Sequence, residues 1–157
     1  MAKKKRGRGE QHPDKLSEAA PACVCFNIRK AARAISQLYD DVLRPSGLRV
    51  TQFSILSVTR RLGQVTVTRL AEETVTDRTT LTRNLKILEQ QKLIRISPGQ
   101  DRREREVTLT DQGRAALVRA YPFWKDMQAQ VTRRLGPERF RRLLSDLRTT
   151  VALTRAN

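Results

Sequence analysis

Two short amphipathic segments, separated by a break of only a few residues, constrain the fold more than any other feature of this sequence. They read VTRLAEET, following Thr66, and DRTTLTRNLKILEQQ, beginning at Asp77. Apolar residues recur at helical spacing in both, and each has a residue at its start that can cap a helix, Thr66 for the first and Thr76 or Asp77 for the second. Because the break at residues 74–76 leaves no room for a longer connection, the pattern predicts a sharp helix–turn–helix.

A second pattern, in which apolar and polar residues alternate, follows directly. It covers residues 94–97 and 106–109 and is typical of two half-buried strands. Pro98-Gly99 favours a turn between them. Most of the charged run DRRERE, residues 101–106, then lies at the tip of the predicted hairpin.

Further helical patterns flank this region. Apolar residues at helical spacing predict a helix from about residue 22 to the break at Pro45-Ser46-Gly47, and a second helix, TQFSILSVTRRLG, that Thr51 can cap. After the hairpin, Thr110 can cap a long helix that ends before Gly136-Pro137, and a last helix follows. The order of elements predicts a mainly α fold with a small two-stranded β-wing.

Domain boundaries follow from this order. Residues 1–20 are basic and poor in core-forming side chains, so we expect them to be a disordered basic arm. Residues 22–157 then form one unit, with a winged helix–turn–helix domain at 49–110 and dimerisation helices at 22–48 and 111–157. The terminal helices carry apolar stripes that are too long for the small central domain to cover, and a homodimer formed through them accounts for both stripes.

The charge of the chain narrows the class of partner. The formal net charge is +16, and 24 of the 32 basic residues are arginine. Because arginine matches phosphate oxygens with two donors and its binding releases condensed counterions, this imbalance predicts a polyanionic partner. Within the basic arm, residues 3–8 (KKKRGR) could follow phosphates beside the main site or only keep the chain in solution. A basic RNA- or ribosome-associated protein is the alternative that the charge leaves open.

Several other classes of protein find no support in the sequence. No apolar run approaches the length of about 18 residues that a membrane span needs, and the first 20 residues lack the apolar segment of a secretory signal. Cys23 and Cys25 form no disulfide framework, so we expect a cytoplasmic protein. His12 is the only histidine, which argues against a histidine-based catalytic triad or a histidine-rich zinc site. We therefore expect no enzyme, no cofactor, no metal and no membrane partner.

The charged hairpin tip has an interpretation beside a helix–turn–helix. A projecting hairpin can reach the minor groove of DNA next to a helix in the major groove, where the negative potential attracts arginine. Arg103 is the best candidate for the inserted side chain, with Arg102 and Arg105 beside it. Asp101 has the wrong charge to contact phosphate and would instead hold a neighbouring arginine in an extended pose. The alternative is an ordinary solvated hairpin tip.

The second helix of the predicted motif presents polar side chains opposite its apolar line. Arginine, lysine and threonine there can bond to base edges or to phosphates, and Arg83 and Lys86 could equally clamp phosphates further along the duplex. Together with the wing, this helix predicts double-stranded DNA as the partner. The predicted contact residues of the helix are Arg78, Thr79, Thr80, Thr82, Arg83 and Lys86.

On these residues the chain resembles the MarR family of bacterial transcriptional regulators, over about residues 25–154. The segments that carry the resemblance are LRVTQFSIL, VTRLAEETVTDRTTLTRNLKILEQQKLI and, most specific, DRREREVTLTDQG. The last looks like the family's Asp-x-Arg wing followed by a Leu-Thr-x-x-Gly motif at the start of a helix, here Asp101, Arg103, Leu109, Thr110 and Gly113. The resemblance implies a homodimer, joined through its terminal helices, that binds a pseudo-palindromic operator. It also implies a small-molecule or redox signal that changes the spacing of the two DNA-binding domains, called the reading heads below. An RNA- or ribosome-binding protein would explain the charge, but neither the wing motif nor the apolar stripes.

The start of the first long helix carries a further, partial resemblance. Cys25-Phe26 falls where the organic-hydroperoxide-sensing (OhrR-type) branch of the family has its reactive cysteine, and Tyr39 falls where that branch has one of the tyrosines that hold it. Arg29 replaces the other tyrosine and lies one helical turn from Cys25, where a positive charge would favour the thiolate. Cys23 is an addition to the pattern. Three interpretations stay open: an oxidant sensor, a small inert cysteine at a dimer interface, and a soft-metal site formed by both thiolates.

Overall fold

The structure, a computed structural model, describes residues 19–99, 101 and 103–155. The chain divides into two units, Met1–Gln37 and Leu38–Asn157, each of which is described by itself. The helices of the described residues are α1 (Ala19–Ala22), α2 (Val24–Leu43), α3 (Val50–Leu62), α4 (Val67–Thr74), α5 (Arg78–Gln90), α6 (Asp111–Leu135) and α7 (Pro137–Arg155), with a 3₁₀ turn at Arg44–Ser46. The strands are β1 (Val65–Thr66), β2 (Ile94–Pro98) and β3 (Arg105–Leu109). In this part of the chain, no helix combines the length and the apolarity that crossing a lipid bilayer would need.

The expected basic arm is described only at its end. Residues 1–18, including the run at 3–8, lie outside the described residues, whereas Ala19 and Ala20 belong to the short helix α1. The side-chain amide of Asn27 donates hydrogen bonds to the carbonyls of Pro21 and Cys23, at 2.8 and 2.9 Å. These bonds hold the break between α1 and α2, and Cys23 lies in that break.

The helix–turn–helix formed by α4 and α5 confirms the interpretation of the two short segments. The Thr66 hydroxyl accepts a hydrogen bond from the N–H of Arg69 at 3.1 Å, and the Asp77 carboxylate accepts one from the N–H of Thr80 at 2.8 Å. Between the helices, Val75 adopts a left-handed conformation with φ of +48°. That conformation costs a residue with a side chain about 1–2 kcal/mol, and here it lets the chain turn within three residues.

The sheet has three antiparallel strands in the order β1–β3–β2. β2 and β3 form the predicted hairpin, with Ile96 opposite Val107, and residues 94–109 are called the wing below. The prediction of two strands missed β1, which pairs Val65 with Val107 and Thr66 with Glu106. A strand of two residues is too short to show alternation, so no pattern in the sequence could indicate it.

The core of the second unit lies between the helix–turn–helix, α3, the first half of α6 and the sheet. The predicted inward leucines of α5, which are Leu81, Leu85 and Leu88, are all buried. On α6, Trp124 stacks on Phe53 of α3 with their ring centroids 6.0 Å apart. Helix α5 and the wing therefore both pack against this core.

The start of α3 differs from the prediction. We expected Thr51 to cap this helix, but the helix begins at Val50 and Thr51 lies inside its first turn. The Asp40 carboxylate accepts the N–H of Val50 at 2.6 Å, and the Gln52 side chain accepts the N–H of Arg49 at 2.9 Å. These two side chains satisfy donors at the start of the helix, so a threonine cap is not needed.

Candidate nucleic-acid interface

Helix α5, called the recognition helix below, separates its residues into a buried and an exposed side as predicted. The six predicted contact residues are exposed, and five of them surround a shallow depression on the outer surface of the helix. Those five are Arg78, Thr79, Thr82, Arg83 and Lys86. Among the described residues, none of the three cations in this set has an acidic partner within 4.0 Å. The helix thus presents three positive charges that are paired with no carboxylate of the described residues.

The N-terminus of the recognition helix is fixed by Asp77. The backbone N–H of Thr80 donates to its carboxylate, and this bond lowers the pKa of Asp77 below its usual value. The carboxylate therefore stays charged at neutral pH and complements the positive end of the helix dipole. The backbone just before Arg78 is held in place by this cap.

The described residues of the wing tip, which are Gly99, Asp101, Arg103 and Glu104, are joined by three hydrogen bonds. The N–H of Gly99 donates to the Glu104 carbonyl, and the N–H of Glu104 donates to the Asp101 carbonyl, both at 2.9 Å. The Asp101 carboxylate accepts the N–H of Arg103, also at 2.9 Å. Of the predicted wing residues, Arg102 lies outside the described residues, while Arg103 and Arg105 are exposed.

Asp101 therefore contacts Arg103 in a way that the sequence did not indicate. We expected its carboxylate to hold the extended side chain of an arginine. In the described residues it instead holds the backbone N–H of Arg103, and the two side chains form no ion pair. The carboxylate shapes the turn and leaves the guanidinium of Arg103 available for another anion.

A groove joins the recognition helix to the wing. It has a volume of about 350 Å³, and it brings predicted residues of both elements to one surface. The predicted residues around it are Arg78, Thr82 and Lys86 from the helix, and Arg103 and Arg105 from the wing. Sequence reasoning missed three further parts of the lining, which are residues 66–68 at the start of α4, Glu89 near the end of the recognition helix, and Glu104 of the wing. Thr80 and Asp101 lie outside this groove.

The base of the wing is clamped by the Leu-Thr-x-x-Gly motif. The Thr110 hydroxyl donates to the Lys92 carbonyl at 2.6 Å and accepts the N–H of Gly113 at 3.0 Å. The N–H of Thr110 also donates to the Leu93 carbonyl, at 3.2 Å. The start of α6 is thus bonded to the turn that connects the recognition helix to β2, and this arrangement fixes where the wing leaves the core.

The two cysteines of the first unit are accessible. Cys23 and Cys25 are both exposed, and the Cys23 sulfur accepts the N–H of Phe26 at 3.5 Å. Arg29 is also exposed. Among the described residues, no three His, Cys, Asp or Glu side chains come together as metal ligands. Neither thiol is packed against the described residues of its own unit.

Tyr39 belongs to the second unit and has a partner there. Its hydroxyl donates a hydrogen bond to the side-chain oxygen of Gln128, and burial raises the pKa of the phenol. Both the ordinary pKa of a phenol and this upward shift keep Tyr39 neutral near neutral pH, where it is a hydrogen-bond donor. The hydrogen bond from Tyr39 to Gln128 joins the end of α2 to α6.

A second cavity, of about 440 Å³, lies between α3 and α6. Its walls are mostly apolar, with Phe53, Leu117 and Tyr121 among the lining residues, and Ser57 and Arg60 add a hydroxyl and a guanidinium. Tyr121 stacks on Trp124 with ring centroids 5.6 Å apart. An apolar cavity with one cation suits a small molecule that has an apolar body and an anionic group.

Three comparisons place the chain among known proteins. The uncharacterized HTH-type transcriptional regulator YwoH of Bacillus subtilis (strain 168) is 32% identical over 89 residues, which cover 57% of this chain but only 65% of YwoH. The M. tuberculosis transcriptional regulator MosR, solved in complex with DNA, is 41% identical with a TM-score of 0.77, over 85% of this chain and 97% of MosR. The transcriptional repressor CouR, bound to a 23-mer DNA duplex, is 26% identical with a TM-score of 0.75, over 90% of this chain and 99% of CouR.

The helix–turn–helix, the wing and the groove between them define the winged helix–turn–helix class of fold. A sequence profile described as the MarR family matches residues 46–104, which include the recognition helix and most of the wing. The chain belongs to the MarR family, which confirms the resemblance seen in the sequence.

Proposed function

We propose that this chain is a homodimeric repressor that binds a pseudo-palindromic operator in double-stranded DNA and releases it on a small-molecule or oxidant signal. Each recognition helix would lie in the major groove, and each wing would place Arg103 in the minor groove. The observation that carries the proposal is the groove in which Arg78 and Lys86 of the helix share one surface with Arg103 of the wing. Two relatives support it by name, since MosR and CouR are bound to DNA and CouR is a repressor.

The pairing of a helix with a wing favours duplex DNA over RNA. The major groove of B-form DNA admits an α-helix, and its narrow minor groove attracts arginine. The major groove of double-stranded RNA is deep and narrow, so a helix cannot read it. A basic RNA-binding protein therefore has no evident use for a recognition helix with an arginine wing beside it.

A second copy of the chain would cover apolar side chains that one copy leaves exposed. In the second unit, α7 exposes Leu143, Leu147 and Val151, and none of its described side chains is buried. In the first unit, α2 exposes Phe26 and Ile28. Single apolar side chains are common on surfaces, but apolar side chains that line up along a helix mark an interaction site. A symmetric dimer would also supply the two reading heads that a palindrome requires.

Replacing Arg103 tests the role of the wing. Arg103→Ala should weaken binding to operator DNA by about 1–3 kcal/mol, because it removes a charge-assisted contact without disturbing the fold at an exposed tip. The operator is first selected from a random pool of duplexes, and affinity is then measured by fluorescence anisotropy at fixed salt. Arg119→Ala, which removes an exposed arginine from α6, is the matched control and should bind like the wild type. Equal affinities for the two variants would contradict the proposed wing.

Replacing Asp101 tests the turn at the wing tip, and here the sign of the effect is informative. Asp101→Ala removes a negative charge, so electrostatics alone would tighten DNA binding. We expect weaker binding instead, by up to about tenfold, because the N–H of Arg103 loses its acceptor and the turn loosens. Glu104→Ala removes a charge from the same tip but keeps the Asp101 bond, so it should bind at least as tightly as the wild type. If Asp101→Ala also binds more tightly, the carboxylate acts only as a charge.

The oxidant signal is proposed to act at Cys25. Oxidation of its thiolate to a sulfenic acid would add a polar oxygen close to Phe26 and Ile28, which are part of the proposed dimer surface. A small change at such a surface can alter the spacing of two reading heads. Both thiols are exposed, so an oxidant can reach them without unfolding the first unit.

Serine substitutions test this signal. Cys25→Ser should keep DNA binding and lose release by an organic hydroperoxide, while Cys23→Ser should have a smaller effect. The measurement is a band-shift titration of the wild type and both variants with the oxidant. Equal loss of the response in both variants would indicate that the two thiols react together. Wild-type binding that survives stoichiometric hydroperoxide would exclude the sensor and leave the cavity beside Arg60 as the proposed site for a small-molecule signal.

A further inference from the structure

Glu89 bonds the recognition helix directly to the wing. β2 is an edge strand of the sheet, so some of its backbone N–H groups point away from β3. The N–H of Ile96, in the middle of this strand, donates to the Glu89 carboxylate at 3.1 Å. Glu89 is the last residue but one of the recognition helix. One side-chain bond therefore spans the two elements that are proposed to read DNA.

The local electrostatics at Glu89 are mixed: Lys86, three residues earlier on the helix, and Arg103 and Arg105 of the same groove favour a carboxylate, whereas other nearby charges oppose it. The last turn of a helix presents carbonyl groups, and an anion there is disfavoured. The groove around Glu89 faces the proposed phosphate backbone, which repels a carboxylate as well. Among the described residues Glu89 forms no ion pair within 4.0 Å that would offset these terms. The hydrogen bond to the N–H of Ile96 is a contact that an ordinary solvated glutamate would not make.

The covalent connection between the two elements does not by itself fix their angle. It consists of the turn at residues 91–93, in which Lys92 has a φ of +58°. The Thr110 hydroxyl and N–H hold the far side of this turn through the carbonyls of Lys92 and Leu93. Those bonds anchor the base of the wing, whereas Glu89 acts further out, at the middle of β2. A strand held at both points cannot swing away from the helix.

We propose that Glu89 is a positioning residue that holds the wing against the recognition helix, so that the helix and Arg103 fit neighbouring grooves of one duplex. The inference rests on the proposed function, because it assumes that both elements contact DNA. It adds a residue that touches no DNA itself and sets the distance between the two contacts. Because the helix and the wing are already held in the geometry that binds DNA, less conformational entropy is lost when DNA binds.

Two substitutions of Glu89 separate its bond from its charge. Glu89→Gln keeps a side-chain oxygen that can accept the N–H of Ile96 and removes the charge, so it should bind the selected operator as tightly as the wild type or more tightly. Glu89→Leu has a similar size but no acceptor, and it should bind about tenfold more weakly. Since the two variants lose the same charge, a difference between them reports the hydrogen bond. Equal affinities of the Gln and Leu variants would overturn the proposal.

A double-mutant cycle with Arg103→Ala tests whether Glu89 acts through the wing. If Glu89 only positions Arg103, Glu89→Leu should cause little further loss once Arg103 is gone. Fully additive losses would overturn the proposal, because Glu89 would then act independently of the wing. The amide exchange rate of Ile96, measured by NMR without DNA, should rise in the Leu variant and not in the Gln variant. An unchanged rate in the Leu variant would overturn the inference, whereas wild-type affinity of Arg103→Ala alone would instead overturn the proposed role of the wing.

Discussion

Gly113→Ala should destabilise the protein by about 3 kcal/mol, near the upper end of the usual cost of overpacking. An added Cβ would overlap the carbonyl oxygen of Leu93 and lie 2.9 Å from its carbonyl carbon. The obstacle is backbone, and it cannot move freely because the Leu93 carbonyl also accepts the N–H of Thr110. In a thermal melt the midpoint should fall by about 6–12 °C.

The sign of this effect distinguishes packing from helix propensity. Gly113 lies in the first turn of α6, and replacing glycine by alanine in a helix ordinarily stabilises it by up to about 1 kcal/mol. The neighbouring Gln112 is exposed, so Gln112→Ala is a control in the same turn and should change stability by less than about 0.5 kcal/mol. If Gly113→Ala melts at or above the wild-type temperature, α6 does not approach Leu93 as closely as the structure shows.

The features that could be predicted from the sequence are those decided within a few residues. Thr66, Asp77 and Thr110 each cap a helix by accepting an N–H three residues further along, so the capping residue and its partner lie in one short stretch. The strands of the wing and the buried leucines of the recognition helix follow from periodicity alone. The wing motif could be recognised because its residues are adjacent in the sequence.

Features that depend on distant segments could not be predicted. Asp40 caps the helix that begins at Val50 because two helices meet there, and no local pattern indicates such a meeting. The expectation for Asp101 was incomplete in another way, because the sequence showed its charge but not that its carboxylate would accept the backbone N–H of Arg103. Glu89 gave no signal, since a glutamate near the end of a polar helix is ordinary until an edge strand is placed beside it. The proposed roles of the predicted DNA-contacting side chains stay predictions.

Replacing Leu143 and Leu147 together by glutamate should convert a dimer into monomers. The two side chains are 43% and 42% exposed in one copy of the chain. Burying the exposed part of each on dimerisation would contribute about 1 kcal/mol of stabilising free energy. Four such side chains in a symmetric dimer correspond to a dissociation constant raised about a thousandfold, before the cost of burying carboxylates is added. Light scattering at micromolar concentration would measure the change. A wild-type chain that is monomeric under these conditions would contradict the proposed dimer.

The control for this experiment places the same charges on the opposite side of α7. Ser145 and Thr149 are exposed and lie two residues beyond Leu143 and Leu147, about 200° further round the helix. Ser145→Glu/Thr149→Glu should therefore remain dimeric and keep a folded spectrum. The monomeric leucine variant should also lose its preference for the full palindrome over a single half-site, because one reading head contacts only one half. A leucine variant that remains dimeric at micromolar concentration would instead overturn the proposed role of α7 in the dimer.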